Sequence, residues 1–403
     1  MGLDNAYGVG SLKPGVCTST TRPSSPFEGQ VIFETDTNTL AVYDGSGWVS
    51  LNPVDRDRNV IINGAMQIAQ RGTSVTGITA TGYYTVDRFD IQNGNLGTWT
   101  ASQESDAPTG SGFRKSAKLL CTTADSSLAA GDFLTFRQRI EGQNLQKFAK
   151  GTASAKPFTI SFWVKSNVTG TYIVNLLDGD NSRSVSASYS ISASATWEKK
   201  TITFPADTTG AFDNDNGASM NVVFWLATGS TFSSGTLNTS WESTVTANRA
   251  VGQTNLASAT NNYWQITGVQ LEAGAVATPF EFEDYSTTLA KCQRYYYKAQ
   301  STTAGNRISV GYNRSTTISE QLITFPVTMR TAPSALEQSG TAGDYSVLHG
   351  ATATNCSVVP SFNSAEISQA TIFLTVASGL TTGQGSLGRA VTTDAYFAWS
   401  AEL

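Results

Sequence analysis

Histidine is almost missing: His349 is the single imidazole in 403 residues. One imidazole excludes multi-histidine metal sites and argues against a histidine-driven triad. Charge is scarce too, at 14% with a net value of −5. The chain therefore offers no basic stripe, and no nucleic-acid partner is expected. The four cysteines, Cys17, Cys121, Cys292 and Cys356, lie far apart and form no CxxC pair. Separate, reduced thiols are expected, which places folding in a cytoplasm. No apolar run approaches the roughly 18 residues of a membrane helix, so no membrane insertion is expected. The opening "MGLDNAYGVG" lacks the basic flank and apolar stretch of a secretion signal, and Ala6 stands where a myristoylation signal has Ser or Thr.

What is present is 39% hydrophobic and 10% aromatic residues, enough to exclude wholesale disorder. The reading is all-β. Residues 1–57 contain one hairpin-like unit, "GQVIFETDTNTLAVYDGSGWVSL", with turns at 36–39 and at Asp44-Gly45. A module this small buries too little surface to stand alone, so self-association is expected to rescue it. "NPVDRDRN" (52–59) reads as a linker.

From 58 to 284 short strands recur between Ser/Thr/Asn/Gly turns: 85–91, 115–121, 133–141, 158–165, 172–177, 185–191, 197–204, 222–226 and 263–271. This predicts a jelly-roll or two-sheet sandwich. Along 158–165, Phe158, Ile160, Phe162 and Val164 share one face, while Thr159, Ser161, Trp163 and Lys165 share the other. "NLQKFAKG" suits one helical turn ended by glycine. The segment 229–262 reads as a long loop of the kind that often carries function. In "TTLAKCQRYYYK", Leu289, Cys292 and Tyr296 suit a short amphipathic helix, a hinge into a C-terminal β-sandwich over 285–403. Strands are expected there near 307–312, 320–327, 371–376 and 396–399.

Aromatic rings bind sugars through their faces while amides and carboxylates hold the hydroxyls. Tyr83, Tyr84, Trp99, Trp241 and Trp264 lie in or beside polar, turn-rich segments and are the candidate glycan-binding rings. Trp163 and Trp225 lie within strands and are assigned to the core. Two acidic loops, "DGDN" (Asp178, Asp180) and "DNDNG" (Asp213, Asp215), space oxygen ligands two residues apart, which suits a structural calcium; neither completes an EF-hand. "GQGSLG" (383–388) matches GxGxxG by letter, but a strand follows it where a dinucleotide site needs a helix.

Several stretches together carry a resemblance: "RNVIINGAMQIAQRGTS", "YYTVDRFD", "RIEGQNLQKFAKGTASAKPFTISFWVKSNVTGTY", "TWEKKTITFPADTTGAFDNDNG" and "YWQITGVQLEAGAVATPFE". They resemble a carbohydrate-binding-module-like sandwich of tail fibre and virion structural proteins in tailed phages, cyanophages among them. "LAKCQRYYYK", "ITFPVTMRTAPSAL" and "AYFAWSAEL" resemble the C-terminal domain of such fibres, and "RPSSPFEGQVIFETDTNTLAVYDGSGWVSL" a short N-terminal module of them. The resemblance implies a homotrimer in the virion, assembled in the host cytoplasm. It would be held by other tail or baseplate proteins through residues 1–57, and would bind a bacterial surface polysaccharide without being an enzyme. Two alternatives stay open: a baseplate, collar or capsid-associated protein without a ligand, and a polysaccharide-degrading tailspike, which would need two carboxylates flanking the scissile bond.

Overall fold

The computed structural model describes residues 14–37, 39–51 and 57–403. Most of the expected 52–59 linker, and Asn38 of the first hairpin turn, lie outside the described residues. The chain divides into two compact units, 1–57 and 58–403.

The first unit is one four-stranded sheet. Val31–Glu34 pairs with Thr39–Tyr43, which pairs with Trp48–Ser50, and Gly15–Cys17 adds in parallel. Asp44 closes the second hairpin by accepting the Ser46 and Gly47 amides at 2.8 and 2.7 Å. Among the described residues its buried apolar side chains are Ile32 and Ala41, whereas Val16, Phe27, Val31, Val49 and Leu51 are exposed.

The second unit is all-β, with two sandwiches in sequence. In the first, a seven-stranded sheet runs in the order Glu242–Ser243, Arg183–Ile191, Gly170–Asp178, Ala218–Thr228, Phe133–Glu141, Asp90–Gly94, Gly82–Tyr83. It faces a six-stranded sheet of Glu198–Phe204, Phe158–Ser166, Tyr263–Ala273, Ser116–Thr123, Thr98–Glu104 and Ser74–Ile78. The period of two decides what lies between them: Phe158, Ile160, Phe162 and Val164 are all wholly buried. Phe162 packs on Phe224 of the facing sheet at 5.1 Å, and Trp264 on Phe136 at 5.6 Å, in edge-to-face geometry.

Two local expectations are corrected. Residues 85–89 are not strand; Arg88 has φ +74° and turns the chain aside before Asp90–Gly94. The "NLQKFAKG" turn is two 3-10 turns, Gly142–Asn144 and Gln146–Phe148, and the residue that ends the second in the left-handed region is Ala149.

The second sandwich sets a three-stranded sheet (Tyr296–Gln300, Tyr396–Ser400, Glu337–Gln338) against a seven-stranded one. Gly385–Ala390 is a strand inside the larger sheet, antiparallel to both its neighbours, Arg307–Asn313 and Tyr345–His349, so the GxGxxG letters lie in no βαβ unit.

The helix Tyr285–Gln293 leads into the second sandwich, but the expected hinge is instead a packed seam. Tyr295 and Tyr296 are buried. The Arg88 guanidinium lies 3.4 Å from the Tyr295 ring centroid and Arg71 lies 3.6 Å from that of Tyr296. Glu402 forms ion pairs with both Arg88 and Arg71, so residues at both ends of this unit meet in one cluster. Cations stacked on rings and paired with a buried acid resist the bending that a hinge requires.

Candidate functional site

The five aromatic candidates do not assemble into one surface. Trp99 and Trp264 have no exposure and Trp241 has 8%, so none presents a free ring face. Each indole N–H is satisfied internally: Trp99 donates to the Leu96 carbonyl at 2.7 Å, Trp241 to that of Pro205 at 2.9 Å, and Trp264 to the Tyr189 hydroxyl at 3.3 Å. A polar-looking segment misled the sequence reading, because the neighbours' side chains alternate outward while the ring points in. Tyr84 is half-buried and donates to the Ala80 carbonyl at 2.6 Å. Tyr83 sits at the sheet edge with Arg71 over its ring, and burial pushes its phenol up to about 12.

The two acidic loops do meet, and a lysine takes the place expected of calcium. Lys150 and Asp178 are fully enclosed, with Nζ 2.6 Å from Asp178 Oδ2. The same ammonium donates to the carbonyls of Thr209 and Gly210 at 2.9 and 2.7 Å and pairs with Asp207 at 3.1 Å. Asp178 is thereby corrected from metal ligand to lysine partner: its charge is already balanced by an equally enclosed ammonium. Asp180 accepts the Asp213 amide at 2.9 Å, tying the loops together, and Asp215 accepts the Gly217 amide at 2.8 Å within its own turn. Among the described residues no three His, Cys, Asp or Glu side chains gather as a metal set.

A candidate surface that the sequence reading missed lies on the outward face of the six-stranded sheet. Trp163 alternates with buried Phe162 and Val164, so its indole points away from the core and is half-buried. Opposite it stands Lys199, and the half-buried Trp197 precedes that strand. Lys165, two residues along from Trp163, places its ammonium 5.6 Å from the Trp197 ring centroid. By this register Trp163 and Trp197 are diagonal neighbours, a relation that sets Cα atoms about 7–8 Å apart.

Asp106 closes the group. It accepts the Trp197 N–H at 3.2 Å, the Gln265 amide at 3.3 Å and a proton of Lys165. Partial burial opposes ionisation, yet Lys165 and Trp197 hold its carboxyl below the ordinary range, so it is an anion at neutral pH. The row continues from Lys165 through Gln265 to Lys118, whose ammonium lies 4.8 Å from the Tyr263 ring centroid. Half-exposed indoles with an amide, a carboxylate and two ammoniums between them form a shallow surface suited to C–H faces and hydroxyls. The signal that could have found it was parity: Trp163 already shared a face with Lys165 and not with Phe162.

No protein-family model and no curated protein matches the chain. Among solved structures, the chain is similar to the enzymatically active domain of bacteriophage CBA120 tailspike protein 4 at 14% identity and a TM-score of 0.29, over 57% of this chain and 24% of that one. It therefore spans about a quarter of that tailspike chain. A family 11 carbohydrate-binding module from Clostridium thermocellum, in complex with a β-1,3-1,4-mixed-linked tetrasaccharide, aligns at 12% identity and a TM-score of 0.27, over 51% of this chain and 98% of that one. A module in complex with β-1,4-galactotriose aligns at 10% identity and a TM-score of 0.25, over 54% and 99%.

Proposed function

We propose that this chain is a non-enzymatic adhesion protein of a phage tail fibre, and that it binds a bacterial surface glycan on the face bearing Trp163 and Trp197. The observation that carries the reading is this pair of outward indoles around the Asp106–Lys165 ion pair. Buried acids elsewhere serve packing: Asp178 holds Lys150, Asp90 holds Arg137, Glu141 holds Arg294 and Glu402 holds Arg88. That commitment favours adhesion over glycoside hydrolysis, which needs two carboxylates free to flank a bond.

A shallow sugar surface holds at about millimolar strength, near −4 kcal/mol. Three such surfaces on one particle raise the overall strength by about 10²–10⁴. Self-association, in our reading as a homotrimer, is supported by two sets of uncovered apolar side chains. In the first unit, Val16, Phe27, Val49 and Leu51 face solvent. In the second sandwich, a cross-strand row of Leu348, Leu387, Val310 and Leu322 lies on the sheet face away from the core, with Val310 57% exposed. Such faces mark association surfaces in stable proteins. Residues 1–57 would then join the trimer to other tail or baseplate proteins, with the sandwiches presented outward in the virion.

The test is binding of the full chain to host envelope fractions and glycan arrays, with light scattering for the assembly. Binding that falls at least about tenfold in Trp163→Ala and Trp197→Ala, with three copies per particle, is expected. Failure to bind any host envelope fraction overturns the reading.

A further inference from the structure

The opposite sheet of the same sandwich carries a cation, Arg249, that no carboxylate among the described residues pairs with. On its face away from the inter-sheet core the strand register aligns Ser186, Asn175, Val223, Arg137 and Asp90 in one row of buried residues. Arg137 is neutralised by Asp90 through two hydrogen bonds of 3.0 and 2.6 Å, and its remaining amine reaches Asn221 at 3.4 Å. Arg249 descends on this row from the 229–262 segment. Its Nε and Nη2 donate to the side-chain amide oxygen of Asn175, Oδ1, at 3.1 and 3.0 Å, and its guanidinium lies 5.2 Å from the buried Trp225 ring centroid.

No carboxylate oxygen lies within 4.0 Å of Arg249 among the described residues, although it is half-buried. Burial and then the neighbouring Arg137 push its guanidinium down to about 10. Asn175 occupies one edge of the fork, and among the described residues Nη1, on the end edge, has no hydrogen-bond partner. That edge matches the two oxygens of a carboxylate. Asn175 and Arg137 stand two strand spacings apart, about 10 Å, with the small apolar Val223 between them.

We infer that Arg249 forms an anion subsite for the carboxylate of an acidic sugar, with Asn221 two residues along the strand from Val223 and Arg137 already neutralised by Asp90. The sugar class rests on the proposed glycan adhesion; the subsite lies on a different sheet from the Trp163 face and stands or falls separately. The carboxylate supplies the counter-charge for Arg249, and exposed Ser188, two residues along the strand from Ser186, is placed for a sugar hydroxyl.

The test measures binding of the full chain to oligogalacturonate, with dextran as the neutral probe and dextran sulfate as a generic polyanion. Expected is oligogalacturonate binding that weakens as salt rises from about 50 to about 500 mM. Arg249→Gln should lower the affinity about tenfold or more, with Arg249→Lys between the two because it keeps charge without the fork. Asn221→Asp supplies a second route that keeps side-chain size: its added carboxylate should abolish oligogalacturonate binding in a folded protein. Unchanged affinity in Arg249→Gln and Asn221→Asp overturns the subsite, including the case where only the melting temperature falls. Equal binding of dextran sulfate overturns the carboxylate assignment. Oligogalacturonate binding lost in Trp163→Ala but kept in Arg249→Gln assigns the acid to the other face and overturns it as well. A wild-type chain that binds neutral host glycans and no oligogalacturonate overturns this inference alone and leaves adhesion standing.

Discussion

Glu141 and Arg294, 153 positions apart, meet as a forked ion pair: Nε and Nη2 lie 2.9 and 2.8 Å from the two carboxylate oxygens. Glu141 has no exposure and also accepts the Tyr295 hydroxyl, so one acid of the first sandwich holds two consecutive residues leading into the second. Removing one partner of such a pair leaves the other charge poorly solvated. Glu141→Gln should cost about 3 kcal/mol in denaturant unfolding and split one transition into two as the sandwiches uncouple. An unchanged midpoint would show that the seam does not couple them.

Lys150 replaces a metal ion in the physical sense, since its ammonium gathers two carboxylates and two carbonyls. Lys150→Met should destabilise the protein by about 3–5 kcal/mol because Asp178 is left charged in an enclosed site. Adding Asp178→Asn should recover part of that loss. In the wild type, neither chelator nor added calcium should move the melting temperature; a clear shift with either would place a metal where none is expected.

Asp87 gives a pH signature with a definite sign. Burial raises its carboxyl to about 6 from 3.8, against the pull of Gln70 and Arg71. Between those values the folded state binds the extra proton, so this group's contribution favours folding at about pH 4 and fades as pH rises through about 6. Asp87→Asn should erase that slope. The stability difference between variant and wild type should therefore shift toward the variant by up to about 3 kcal/mol across the window. Parallel pH profiles would mean that Asp87 ionises normally.

Trp99 and Trp264 should behave as core residues. Alanine at either should cost about 3–5 kcal/mol, measured by thermal or denaturant unfolding. Trp197→Ala, at a half-buried outward position, should leave stability within about 1 kcal/mol and act on glycan binding instead. Reversed behaviour would exchange the assignments of core and surface.

Much of the first sandwich was legible because its strands bury one face and obey a period of two. Phe133–Glu141 was read with the bounds it has, and Phe158 to Val164 lie where alternation put them. Tyr345–His349 and Gly385–Ala390 were missed because Ser, Gly and His blur the alternation, and only pairing with distant strands makes them extended. At 85–89 the pattern of Val86, Phe89 and Ile91 suggested a strand, but the Gln70 contacts to Asp87 and the Glu402 contact to Arg88 hold a turn instead.

Composition and periodicity alone determined that this protein is built of sheets, because strand parity follows from local side-chain chemistry. Tertiary structure alone decided which indole faces outward, which lysine joins Asp178 to Asp207, and which arginine has no carboxylate partner among the described residues. Charge balance and ring exposure depend on groups a hundred or more positions away, and only the folded chain brings those within reach.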